Sequence, residues 1–295
     1  MVSRFLLSIL IISLYSCQII DQPEIAPSFV HIQDFEFIIN HSGQGSNSED
    51  ITDAWIYVNG NLEGVYELPA TIPLHYDGTQ ELSIYPGIKR NGISGDRKKY
   101  PFYEVYSIEI MLYPDSIINL SPTTQYEDPL FMWIEDFEDP QSKLTSFATS
   151  DTDIQIIDQQ SGETFEGDAG AINMDTNNIY CELRTNELDF NQFPKNINVP
   201  AYMEMNYANN YPFTIGILHK DGTLSSYTKQ PLITMHPTSS DTNELTWNKT
   251  YLYLSDVTNF FPSATEFDIY ISASNYQQQN NIKIRLDNIK VIYRQ

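Results

Sequence analysis

The strongest constraint on this chain is a repeated interruption of its apolar runs. Short stretches rich in Ile, Val, Tyr and Phe are cut every ~8–12 residues by clusters of Gly, Pro, Asn and Asp, a spacing too short for helical layers and suited to strands and turns. Because strand side chains alternate between two faces, such runs can bury one face and wet the other. No convincing stretch of ten or more residues keeps a helical period. The expected fold class is therefore all-β, with sandwiches or barrels as the architecture.

Strands are expected near Phe29–Ile39, Ala54–Val58, Leu62–Glu67, Ile72–His75, Gln80–Tyr85 and Tyr106–Leu112, and again near Ala201–Tyr207, Phe213–His219, Thr250–Leu254 and Phe267–Ala273. At 295 residues the chain is long enough for about two domains, on a prior of ~100–200 residues each. A stretch mixing Pro with Ser, Thr and Asn, residues 115–130, is expected to link a first domain at 28–114 to a second at 131–295.

Charge narrows the function. Sixteen Lys plus Arg against 39 Asp plus Glu give a net charge of -23, which repels phosphate backbones and argues against nucleic-acid binding. Two Cys support neither a disulfide framework nor a four-Cys zinc site, and the five His show no paired ligand spacing. There is no G-x-S-x-G elbow, phosphate-binding loop or dinucleotide fingerprint. Among so many carboxylates an acid pair for glycoside hydrolysis could arise, so a hydrolase stays as a lesser alternative.

At the N-terminus Arg4 precedes the apolar run Phe5 to Leu14, which in helix spans only ~15 Å, about half a bilayer core. It reads as a cleaved leader, residues 1–16. Leu14-Tyr15-Ser16-Cys17 resembles a bacterial lipobox, which implies acylation of Cys17 and a membrane anchor followed by a tether at 17–27. Asp21 and Glu24 behind it resemble surface-export signals of Bacteroidota lipoproteins, implying an outer-membrane protein at the cell surface, with a periplasm-facing orientation as the alternative. Asp115-Ser116-Ile117 likewise resembles the O-glycosylation acceptor of that group, which implies a glycan on Ser116.

In the first domain, Asn59-Gly60 between two alternating runs signals a tight hairpin. With Gly64, Pro69, Gly78-Thr79 and Tyr85-Pro86-Gly87 it resembles PEGA-type and other small Ig-like sandwich modules over Ala54 to Lys89. Lys89, Arg90, Arg97, Lys98 and Lys99 form the sharpest reversal of charge in the chain. They are expected at a solvated hairpin tip, with contact to an acidic partner surface or an anionic glycan as the alternative.

The second domain opens on Phe131-Met132-Trp133-Ile134-Glu135-Asp136-Phe137-Glu138 and closes on Ile284-Arg285-Leu286-Asp287-Asn288-Ile289. That frame resembles the jelly rolls of carbohydrate-binding modules and galactose-binding-like units. The resemblance implies a structural Ca²⁺ between the first and last strands, carried by position to Glu138 and Asp287, with Asp136, Asp168 and Asn288 as lesser ligands.

Sugar sites stack apolar sugar faces on aromatic rings and meet hydroxyls with amides and acids. Two loops have that composition. Tyr207, Asn209, Asn210 and Tyr211 lie in one, and Tyr276 and Gln278 in the other. The sequence thus leads to a non-catalytic, lipid-anchored protein that binds a polysaccharide, or alternatively to an accessory subunit of an outer-membrane secretion or uptake complex. No cofactor beyond calcium is implied.

Overall fold

A computed structural model describes residues 26–186, 193–194, 199–222, 226–239 and 244–294. The leader, Cys17 and most of the tether lie outside the described residues. The regular structure of the described chain is almost entirely strand. The first ten are β1 (Ser28–Ile32), β2 (Glu36–Ile38), β3 (Asp53–Val58), β4 (Asn61–Glu67), β5 (Ala70–Leu74), β6 (Gly78–Lys89), β7 (Arg97–Lys99), β8 (Tyr106–Leu112), β9 (Ile117–Leu120) and β10 (Thr123–Gln125). Then come β11 (Phe131–Glu135), β12 (Leu144–Ser146), β13 (Gln155–Ile157), β14 (Ala169–Met174), β15 (Tyr180–Thr185), β16 (Ala201–Asn209), β17 (Phe213–Asp221), β18 (Thr228–Met235) and β19 (Asn248–Tyr253). One helical turn, α1 (Ser255–Thr258), precedes β20 (Ala264–Ser274) and β21 (Ile282–Tyr293).

The first unit is a sandwich. One side holds β5-β1-β9 and the pair β10-β2; the other holds β4-β3-β6-β7, with β8 also on β6. Ala54, Ile56 and Val58 on β3 share a core with Val30, Ile32, Ile72 and Leu74. Asn59 and Gly60 both adopt positive φ, 50° and 80°, which is what a two-residue turn between β3 and β4 requires. The run expected as one strand at Phe29–Ile39 is two, because β1 pairs with β5 and β9 while β2 pairs with β10.

Residues expected as a linker carry two of these strands. β9 lies parallel to β1, and β10 parallel to β2. Strands of three or four residues are too short to display period-two alternation, and their partners lie some ninety residues upstream, so local pattern hides them.

The second unit packs β13-β14-β21-β16-β19, with β11 on β21, against β12-β15-β20-β17-β18. Met203, Met205, Ile284 and Leu286 from one sheet meet Leu183, Ile215, Ile217, Ile269 and Ile271 from the other. Cys181 sits in this core, its thiol pushed up to about 12 by burial, so it is a packing residue.

The outward face of the β21 sheet is not wet. Tyr202, Tyr251 and Ile292 on that face join the first sandwich's core, where Tyr100 meets Tyr202 and Tyr251 at ring distances of 5.1 and 4.9 Å. Burial on both faces explains why β21 shows so little alternation in exposure. Lys249 and Lys290 reach into this junction and flank Glu204, which is fully buried.

The basic segment also differs from its expectation. The β6–β7 connection docks on β19, with Asn91 N–H donating to Tyr251 O and Tyr253 N–H donating to Asn91 Oδ1, each at 2.8 Å. Its charges are spent internally: Arg90 and Lys98 on Asp96, Arg97 on Asp53 and Glu67, and Lys89 on Glu67. Lys99 lies over the Tyr85 ring at 4.3 Å.

Candidate functional site

The sheet β12-β15-β20-β17-β18 turns its other face away from the first sandwich. Alternation puts Cys181, Leu183, Ile269 and Ile271 inside and Tyr180, Glu182, Arg184, Tyr270, Ser272 and Ser274 on the outer side. Gly216, opposite Tyr270, matters here: a Cβ at this position would meet the Tyr270 ring and Gln230 O at 2.5 Å. Only glycine therefore lets that ring lie down against the sheet.

At one end of this face is a cleft of about 450 Å³. Tyr180, Tyr270 and Tyr276 supply rings, and Thr214, Thr234, Ser272 and Ser274 supply hydroxyls. Tyr276 is 90% exposed on the β20–β21 loop, with its ring open to solvent. The loop is nevertheless well braced: Asn275 Nδ2 donates to Asp175 O and Gln279 O, each at 2.8 Å. Further along the face, Glu182 pairs with Lys229 at 2.5 Å, and Arg184 lies 5.6 Å over Phe147.

The residues expected from sequence divide among three roles. Tyr211 and Tyr276 line this cleft, Tyr211 from a mostly buried position with its hydroxyl donating to Ser274 O at 3.2 Å. Asn209 is fully buried, its amide donating to Tyr211 O and His236 O, and so shapes the loop without reaching solvent. Asn210 fastens the same turn, donating to Asn281 O and accepting from Lys283 N–H. Tyr207 lines a different cleft, between the sandwiches. Gln278 takes positive φ of 51° in the loop bearing Tyr276. Tyr180 and Tyr270 join the cleft without having been expected there; their alternation with Cys181 and Ile271 is the one sequence signal that points to them.

Around the last strand the acids do gather. Asp287 is fully buried and accepts from Asn288 N–H at 2.8 Å and Glu166 N–H at 3.3 Å. Burial pushes its carboxyl up to about 8, with the Glu166 and Glu138 carboxylates adding to the rise. Glu138 Oε1 accepts from Asp168 N–H at 2.9 Å, and Asp136 Oδ1 faces Glu138 N–H at 3.4 Å. Asn288 adopts positive φ of 49° beside Asp287.

Glu166 and Glu138 both raise Asp287, while Lys290 lies within electrostatic reach of Glu166 and Asp136. Among the described residues, however, no three His, Cys, Asp or Glu side chains group closely enough to hold a metal by themselves. An ion here would complete its ~6–8 oxygen ligands from backbone carbonyls and water.

Ser116 lies in the turn between β8 and β9, half-buried, with its hydroxyl donating to Tyr113 O at 2.6 Å.

No protein-family model matches the chain, and no curated protein sequence matches it. Several solved structures resemble it. A carbohydrate-binding module of the β-sandwich superfamily is 14% identical, covering 80% of this chain and 83% of its own at a TM-score of 0.34. A family 11 carbohydrate-binding module from Clostridium thermocellum, solved with a mixed-linked tetrasaccharide, is 14% identical over 55% of this chain and 94% of its own, TM-score 0.37. The K2 cleaved adhesin domain of Lys-gingipain is 12% identical over 54% and 97%, TM-score 0.35. Likeness at this level carries no functional argument, and the all-β sandwich architecture rests on the strand pairings described above.

Proposed function

We propose that this chain is a non-catalytic glycan-binding lipoprotein of the outer membrane, held by an acylated Cys17, with a PEGA-like first sandwich that sets the second away from the membrane. The observation carrying the glycan reading is the cleft beneath Tyr276. Its rings suit the apolar faces of sugars and its Ser and Thr hydroxyls suit sugar hydroxyls. None of its lining residues is Asp, Glu, His or Cys, so it offers neither the carboxylate pair of a glycosidase nor a nucleophile-base pair.

The outward orientation of the cleft supports the same reading. The opposite sheet is covered by the first sandwich, which leaves this face to the exterior. Affinity electrophoresis in gels cast with soluble polysaccharides tests it. Retardation of the wild type by at least one polysaccharide, lost in Tyr276→Ala and Tyr180→Ala variants that melt normally, is expected. Unaltered retardation in both variants would reject the cleft. Palmitate labelling that disappears in Cys17→Ala tests the anchor, and stoichiometric co-purification of a membrane barrel would favour the accessory-subunit role instead.

A further inference from the structure

We infer that the crevice between the two sandwiches is a second carbohydrate site, built jointly by both and suited to a neutral sugar. It does not rest on the cleft beneath Tyr276, with which it shares no residue.

The crevice measures about 440 Å³, within the ~300–1,000 Å³ usual for small-ligand sites. Its rim is aromatic. Phe165 and Trp247, from separate loops of the second sandwich, stand with ring centroids 5.7 Å apart and planes inclined at 59°. The two rings pack on each other, and the exposed part of Phe165 offers an apolar surface to the C–H side of a sugar ring. Phe165 is 40% exposed, and neither ring is needed to close the sandwich core.

The floor is polar and incompletely satisfied. Asn206 on β16 is 2% exposed, lines the crevice, and its Oδ1 has no hydrogen-bond partner among the described residues. Buried amide oxygens are rarely left in that condition, because removal from water costs more than a typical hydrogen bond returns. Asn206 Oδ1 is itself shut off from solvent, so a sugar hydroxyl reaches it only if the floor shifts, and the accessible amide lining the crevice is that of Asn248.

Part of the lining comes from the first sandwich through Glu49 and Asp50. Burial pushes both carboxyls upward, and Lys249 and Lys89 pull against that rise, Lys249 on both acids and Lys89 on Asp50. Lys249 and Lys89 are also engaged by Glu204 and Glu67, so this lining is acidic on balance, which disfavours anionic ligands and offers carboxylate oxygens to the hydroxyls of a neutral sugar. Lys249 is held in place from both sides, at 3.0 Å from Glu204 and 2.7 Å from Ser48 O, so it is fixed before a ligand arrives.

Isothermal titration of the full mature chain with cellohexaose, mannohexaose and xylohexaose, run in parallel, provides the test. For at least one sugar, two sites per chain are expected. Trp247→Ala should remove one of them, or weaken it at least tenfold, while leaving the other; Tyr276→Ala should do the converse. Phe165→Ala, on an exposed loop, repeats the first test without touching the floor. One site that survives both Trp247→Ala and Phe165→Ala overturns the inference while leaving the Tyr276 cleft intact, and no heat from any of the three sugars overturns it too. Loss of binding in Trp247→Ala with none in Tyr276→Ala would keep the crevice and reject the outer cleft.

Discussion

The Tyr100 hydroxyl donates to Glu204 Oε1 at 2.6 Å, from the first sandwich into a carboxylate of the second that has no exposed surface. Tyr126, also from the first sandwich, donates to the same carboxylate at 2.9 Å, and Lys249 pairs with it at 3.0 Å. Burial alone would push Glu204 upward, but Lys249 and Lys290 outweigh it and hold the carboxyl below its usual range. The junction is therefore a charged knot inside an aromatic core, and each sandwich supplies what the other cannot leave unpaired.

Because the knot is shared, its loss should be felt by both units. Tyr100→Phe removes one hydrogen bond to a buried charge, worth about 1.5–3 kcal/mol. Glu204→Ala strands two buried ammonium groups and should cost more, about 3–5 kcal/mol. Urea unfolding should show one cooperative transition in the wild type. In a double-mutant cycle the pair should be non-additive by ~0.5–3 kcal/mol, and simple additivity would mean that the contact does not join the sandwiches energetically.

A second buried acid makes stability depend on pH. Burial pushes Asp268 up to about 6, although Thr185 and Arg184 pull it down. Its unfolded value is about 3.9, so the folded form holds its proton more tightly. The contribution is complete below about pH 4 and is lost as pH rises through about 6. A rise of that size in the carboxyl's pKa corresponds to roughly 2–3 kcal/mol. Relative to the wild type, Asp268→Asn should gain about that much unfolding free energy between pH 4 and pH 6.5. Parallel curves for the two proteins would show that Asp268 titrates normally.

Much of this architecture could be read from residue order, for identifiable reasons. Ala54-Trp55-Ile56-Tyr57-Val58 alternates because one face of β3 is core and the other is open, and Asn59-Gly60 marks its turn. That logic fails where both faces are covered. Glu204 and Lys290 look like solvent-facing residues of amphipathic strands until the first sandwich is placed over them. Tyr276 was legible as a loop ring, whereas Asn209 has the composition of a sugar ligand but spends its amide on two carbonyls. The Trp247 crevice was hidden because Glu49 and Asp50 lie about two hundred residues upstream in sequence, and only the docking of two domains brings them together.

Asp287 offers the sharpest test of the calcium expectation, because the ion reverses the sign of a substitution. Without a cation, a buried carboxyl pushed up to about 8 by burial and two neighbouring acids is a liability at pH 7.5. Asp287→Asn keeps the shape and removes the cost of keeping a buried carboxyl protonated, so in chelator it should melt no lower than the wild type. Calcium that binds only the folded state adds RT ln(1 + [L]/Kd), about 2.7 kcal/mol at a hundred times Kd. For a unit of this size that is a rise of roughly 5–10 °C in the wild type. The Asp287→Asn protein should not show it, and Glu138→Gln should show less of it. Calorimetric or dichroism melts of the three proteins in calcium and in EDTA decide the point. Wild-type curves that coincide in the two buffers would leave Asp287 as a buried acid held by the Glu166 and Asn288 backbone N–H groups alone.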